Sequence, residues 1–118
     1  MAELIVEIAK RDDAVIVSLN GPGDLPGAAK LDSKLLALTA QHPSRVVFDL
    51  SGLTFISSIF MGSLIKFRQG IDRAKGKVVI CGAPMIVLEA LQRARLDQVF
   101  SFHPAVDDAV RALCVTVN

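Results

Sequence analysis

The chemistry this sequence could carry is concentrated in one stretch, Asp49-Leu50-Ser51-Gly52-Leu53-Thr54-Phe55-Ile56-Ser57-Ser58. An acidic residue sits in an apolar run, a short connection follows, and two adjacent serines stand where a helical pattern begins. Serine is a favoured N-cap, because its hydroxyl satisfies a backbone N–H that the first turn leaves without a partner. The same helix end carries about half a positive charge. A phosphate added there meets free N–H groups and a favourable dipole, and it adds nearly two negative charges to the surrounding surface. Such a serine can be a plain cap or a binary switch of a docking surface. The residues alone leave both roles open.

Other reactive side chains are poorly placed for catalysis. His42 and His103 each precede a proline, with no cysteine or carboxylate nearby at metal-ligand spacing. Neither reads as a general base or a ligand, and no metal or cofactor is expected. Gly21-Pro22-Gly23 follows a strand-like run and superficially resembles a phosphate loop. It lacks the further glycine and the lysine of that motif, and it reads as a turn. Cys81 and Cys114 lie in apolar surroundings without CxxC spacing, so they read as reduced core thiols. Lys66, Arg68, Arg73, Lys75 and Lys77 stand against the single Asp72. That run is either a partner-facing patch or the solvated back of an amphipathic helix. The expectation is a protein that is not an enzyme.

Composition narrows the class. The 118 residues suit one domain spanning 1–118, and 52% apolar with 21% charged residues describes a soluble globule. Thirteen basic against twelve acidic residues leave a net charge of +1, which argues against a duplex nucleic-acid binder. Six phenylalanines with no Trp or Tyr supply no base-stacking surface. The first residues lack the basic start of a signal peptide, and no apolar run reaches the ~18 residues of a membrane span. A cytoplasmic protein without membrane insertion is expected.

The elements follow from periodicity. Leu4-Ile5-Val6 with Ile8, and Ala14 to Val17 with Leu19, read as a hairpin turning at Asp12-Asp13. Asn20 to Asp24 reads as a break. Ala28, Leu31, Leu35 and Leu38 form the stripe of a helix from about Pro26 to Gln41. Arg45 to Leu50 is a near-continuous apolar run, as in a strand covered on both faces, and Ser51 to Ile56 is a connection. A helix over Ser58 to Ala74 carries Phe60, Leu64, Phe67 and Ile71 on one face, widened by Met61 and Ile65, and stops at Gly76. Lys77 to Cys81 is a second buried strand. A third helix follows Pro84, with Val87, Leu88 and Leu91 inward. Gln98 to Phe102 reads as an edge strand, and a last helix after His103-Pro104 aligns Val106, Ala109, Val110 and Leu113. The order predicts an α/β fold with a mixed, mostly parallel central sheet, an N-terminal antiparallel hairpin and four helices. The Arg45 and Lys77 runs should be parallel neighbours.

The sequence resembles the STAS family, the domain shared by sulfate transporters and anti-sigma factor antagonists. The family pattern D-L-S-x-L-x-F-I-D-S-S-G-L-G-x-L is matched by Asp49-Leu50-Ser51, Leu53, Phe55-Ile56, Ser58, Gly62 and Leu64. Gly21 and Asp24 fall at its G-x-x-D after the second strand. Lys77 to Gly82 and Ala94 to Phe100 are similar to its later segments. The resemblance implies a regulatory module that binds an ATP-using anti-sigma factor, itself a serine kinase, and is released from it by serine phosphorylation. The implied modified residue is Ser58, with Ser57 the runner-up. Ser57 stands where the family has Asp, and Ile59-Phe60 stand for its S-G, so Phe60 would place a bulky side chain at the helix start. The expected partner-binding surface comprises Gly21, Asp24, Phe55, Ser57, Ser58 and Met61. Two rivals remain: a STAS scaffold without phosphorylation, in a stressosome-like or transporter assembly, and a small domain binding a nucleotide at Gly21-Pro22-Gly23.

Overall fold

The computed structural model describes residues 2–114. Met1 and residues 115–118 of the expected 1–118 domain lie outside the described residues. Five strands form one sheet in the order β1-β2-β3-β4-β5: β1 (Ile5–Arg11), β2 (Ala14–Gly23), β3 (Arg45–Ile56), β4 (Lys77–Cys81) and β5 (Ser101–His103). β1 and β2 are the antiparallel hairpin, closed at Asp12-Asp13 with Arg11 opposite Ala14. The remaining neighbours are parallel, with Val46 beside Val78 and Phe48 beside Ile80 in the β3–β4 pair.

Among the described residues four helices connect and cover the sheet: α1 (Leu25–Thr39), α2 (Ser58–Arg73), α3 (Met85–Arg93) and α4 (Val106–Cys114). Because the strand order runs straight across the sheet, the right-handed crossovers put α1, α2 and α3 on one face. Their stripes bury Leu31, Leu35, Phe60, Leu64, Phe67, Val87 and Leu91 against Val17, Leu19, Phe48, Leu50 and Ile80. The Phe48 and Phe67 rings meet edge to face at 5.6 Å. α4 covers the other face, packing Ala109, Val110 and Leu113 on Ala14, Ile16, Val47 and Val79. Arg45 Nε donates to Leu113 O at 3.1 Å, and Arg11 pairs with Asp107, so α4 is tied at both ends. β3 is buried on both faces, which is why its first half reads as an unbroken apolar run.

Three local readings change. Asn20 to Gly23 is no break and no turn, because β2 continues through it and pairs with the far end of β3. Ser51 to Ile56 is likewise strand rather than connection. Register shifts after Ser18 and after Gly21 bend these two extensions together. The third change is at the opposite border. Leu96–Gln98 forms a 3-10 turn, and the edge strand occupies only Ser101–His103. The end of α2 also differs in detail. The left-handed residue is Lys75 (φ 65°), and Gly76 N donates to Ile71 O at 2.9 Å to close the last turn.

Candidate functional site

Two helix starts meet where β2 and β3 end together. Gly21 lies at φ 115°, and a Cβ there would stand 2.7 Å from Glu3 O, so a side chain is excluded on both counts. Gly23 is pressed against β3, where a Cβ would meet Phe55 O at 2.7 Å. This close approach lets Ser57 N donate to Gly23 O at 2.8 Å, tying the start of α2 to the start of α1. Asp24 caps α1, its Oδ1 accepting from Gly27 N at 2.7 Å.

The two serines divide the roles that the sequence left joined. Ser57 is the N-cap of α2, and its Oγ accepts from Phe60 N at 3.2 Å. Ser58 is the first residue of the helix and is exposed. No carboxylate stands in the first turn of α2, and its cap is neutral, so the positive end of that dipole is uncompensated. α4, by contrast, carries Asp107 and Asp108 in its first turn.

The expected docking residues do not all reach the surface. Gly21 and Asp24 are half-buried, Phe55 and Ser58 are exposed, and Ser57 is half-buried. Met61 turns into the main core and presents nothing to a partner. Phe60 also points inward and is fully buried, so it does not crowd the helix start. The bulk at the site comes instead from Ile59, 56% exposed, and from Phe55 at the end of β3, 41% exposed. Leu25 at the start of α1, and Met85 and Ile86 at the start of α3, are exposed at the same end of the sheet. Large apolar side chains thus stand exposed at successive helix starts. The signal for it was in the sequence: large apolar residues stand off the core stripe in first turns, where acidic residues are favoured.

The remaining reactive groups lie elsewhere. His42 is in the loop before β3, and His103 ends the border strand β5 beside Cys81 at the end of β4. Among the described residues no group of three His, Cys, Asp or Glu side chains could hold a metal ion. Asp49 faces the α4 side, where its Oδ1 accepts from Ser51 N at 3.1 Å. Burial, then the charges of Asp49 and Asp108, push the Cys81 thiol up to about 12, so it stays protonated and unreactive. Among the described residues no helix is long and apolar enough to cross a membrane.

The model of the STAS domain matches residues 6–109, from β1 into α4. The chain belongs to the STAS domain family. The STAS chain is 26% identical over 108 residues to the anti-sigma-F factor antagonist RsfB of Mycobacterium tuberculosis, covering 91% of this chain and 87% of that one. Its fold is that of an anti-sigma factor antagonist from Mycobacterium paratuberculosis, with a TM-score of 0.88 at 22% identity over 94% of each chain. It is also that of the antagonist SpoIIAA in its unphosphorylated form, with a TM-score of 0.80 at 16% identity over 98% of this chain and all of that one. The paired helix starts therefore belong to a STAS scaffold, and the expected architecture stands.

Proposed function

We propose that this STAS protein is an anti-sigma factor antagonist of the cytoplasm, and that Ser58 is its switch. It docks on an anti-sigma factor of the ATP-binding serine-kinase type through the end of the sheet where α1 and α2 begin. Gly21, Asp24 and Ser57 shape that surface, while Phe55, Ser58 and Ile59 make the contact. The observation that carries this reading is the division of labour between the serines: Ser57 spends its hydroxyl on the cap, and Ser58 stands exposed next to exposed Ile59 and three residues after exposed Phe55. A phosphate on Ser58 suits the uncompensated helix end, so the fold tolerates it. The docked complex does not, because a near-dianion would have to lose its water inside an apolar contact. Likeness to RsfB supports the partner class.

The test is labelling by a cognate anti-sigma kinase with labelled ATP, followed by phosphopeptide mapping. Label is expected on Ser58 in the wild type and in Ser57→Ala, and none in Ser58→Ala. Ser58→Asp should weaken the complex, and Ser58→Ala should hold it. Label confined to Ser57, or no label with both alanine variants binding like wild type, would overturn the switch and leave a scaffold.

A further inference from the structure

The two borders of the sheet are treated differently. β5 is only three residues long, which leaves little free edge. β1 is seven residues long with six of them exposed, pairs with β2 in unbroken register, and has no proline. Its hairpin closes on a two-residue turn, so Arg11 and Ala14 exchange both backbone hydrogen bonds. By alternation Ile5, Glu7, Ala9 and Arg11 spend their backbone groups on β2. Among the described residues, Val6, Ile8 and Lys10 then point theirs outward with no strand to meet. Ile5 and Ile8 are 54% and 42% exposed, on opposite faces of this border.

We propose that β1 pairs antiparallel with β1 of a second copy, about a two-fold axis at Ile8, joining two sheets into one. The length of the strand and its charges together select this partner and register. With the two strands fully overlapped, Ile8 meets Ile8 of the second copy, Val6 meets the stem of Lys10, and Ile5 meets the stem of Arg11. Glu7 meets Ala9 and lies diagonal to both Arg11 and Glu7 of the second copy, and the longer arginine side chain closes the favourable diagonal. No like charges face each other. A slip that brings Val6 opposite Ile8 sets Glu7 against Glu7, and a parallel pairing in register stacks every charge on its own kind. The slip in the other direction sets Glu7 against Arg11 but cuts the ladder from seven residues a side to about five. Edge lysines and charges ordinarily guard a free border against any passing strand. Here the same charges reject the parallel pairing and the Glu7-on-Glu7 slip, and the fully overlapped, closed arrangement is the longest self-complementary one left. The two-fold axis turns the two Ser58 sites to opposite ends of the joined sheet, so each copy keeps its docking surface.

The experiment uses the full chain alone. Sedimentation velocity from micromolar to millimolar protein should pass from the mass of one chain to that of two. Hydrogen exchange should show protection rising with concentration at the amides of Val6, Ile8 and Lys10. The amides of Glu7 and Ala9, already paired to β2, should be protected at every concentration. Ile8→Lys, which sets two ammonium groups together on the axis, should weaken association at least about ten-fold with an unchanged circular dichroism spectrum. A single-chain mass at all concentrations would overturn the proposal. So would a dimer indifferent to Ile8→Lys, or one whose formation leaves the exchange of Val6, Ile8 and Lys10 unchanged. If Ile8→Lys fails to fold, the alternating exchange pattern of the wild type decides.

Discussion

Stability and phosphorylation should separate cleanly between two neighbouring serines. Ser57→Ala removes the Oγ that accepts from Phe60 N and leaves that N–H in a half-buried helix end. Losing such a cap costs about 1 kcal/mol, and the 3.2 Å length places this one in the lower half of the usual range. For a chain of this size that is roughly 0.5 M off a urea midpoint, or about 4 °C off the melting temperature. Ser58→Ala removes an exposed hydroxyl and should stay within about 0.5 kcal/mol of wild type. Ser58→Asp places a carboxylate in a first turn that has none, and should add about 0.3–1 kcal/mol, shrinking with added salt. Urea melts followed by far-UV circular dichroism give all four values. The expected ranking puts Ser58→Asp at or above wild type, Ser58→Ala level with it, and Ser57→Ala below. The variant that most stabilises the fold is then the one that most weakens the docked complex. If Ser58→Ala loses 1 kcal/mol while Ser57→Ala is silent, the assignment of cap and switch is reversed and the reasoning fails.

Leu64 is fully buried on the stripe of α2, and Leu64→Ala should cost about 2–5 kcal/mol in the same melts; a loss below about 1 kcal/mol would mean the core collapses around the gap. Lys75 sits at φ 65° just past α2, where Lys75→Gly should relieve strain and raise stability by about 1 kcal/mol. Cys81 holds its proton more tightly folded than unfolded, from an ordinary 9.0 to about 12. Its contribution is therefore complete below pH 9 and lost as pH rises towards 12, by up to about 4 kcal/mol. In Cys81→Ala the slope of stability over that alkaline window should flatten, and an unchanged slope would assign it to other groups.

What the sequence made legible, and what it hid, divides along local and non-local physics. The stripes of α1 and α2 and the apolar runs of Val46 to Leu50 and Val78 to Cys81 each carry their own signal, because each buries its own side chains in a fixed period. The site does not. Asn20 to Gly23 and Ser51 to Ile56 read as turn and connection because glycine, proline and serine are locally poor strand formers. Each becomes strand only because the other pairs with it, Gly21 with Leu53 and Gly23 with Ile56. Neither segment could reveal that partnership alone. The same pairing decides which serine caps, since Ser57 N is already held by Gly23 O when the helix begins. It also sets the phase of α2, so Met61 and Phe60 turn inward and Ile59 outward, a distinction that a widened apolar stripe blurs. Without the Gly23–Ser57 contact the start of α2 would be free to slip by one residue, and Ser58 would become the cap. The contact that the sequence could not reveal is therefore also what leaves the Ser58 hydroxyl exposed and outside the cap.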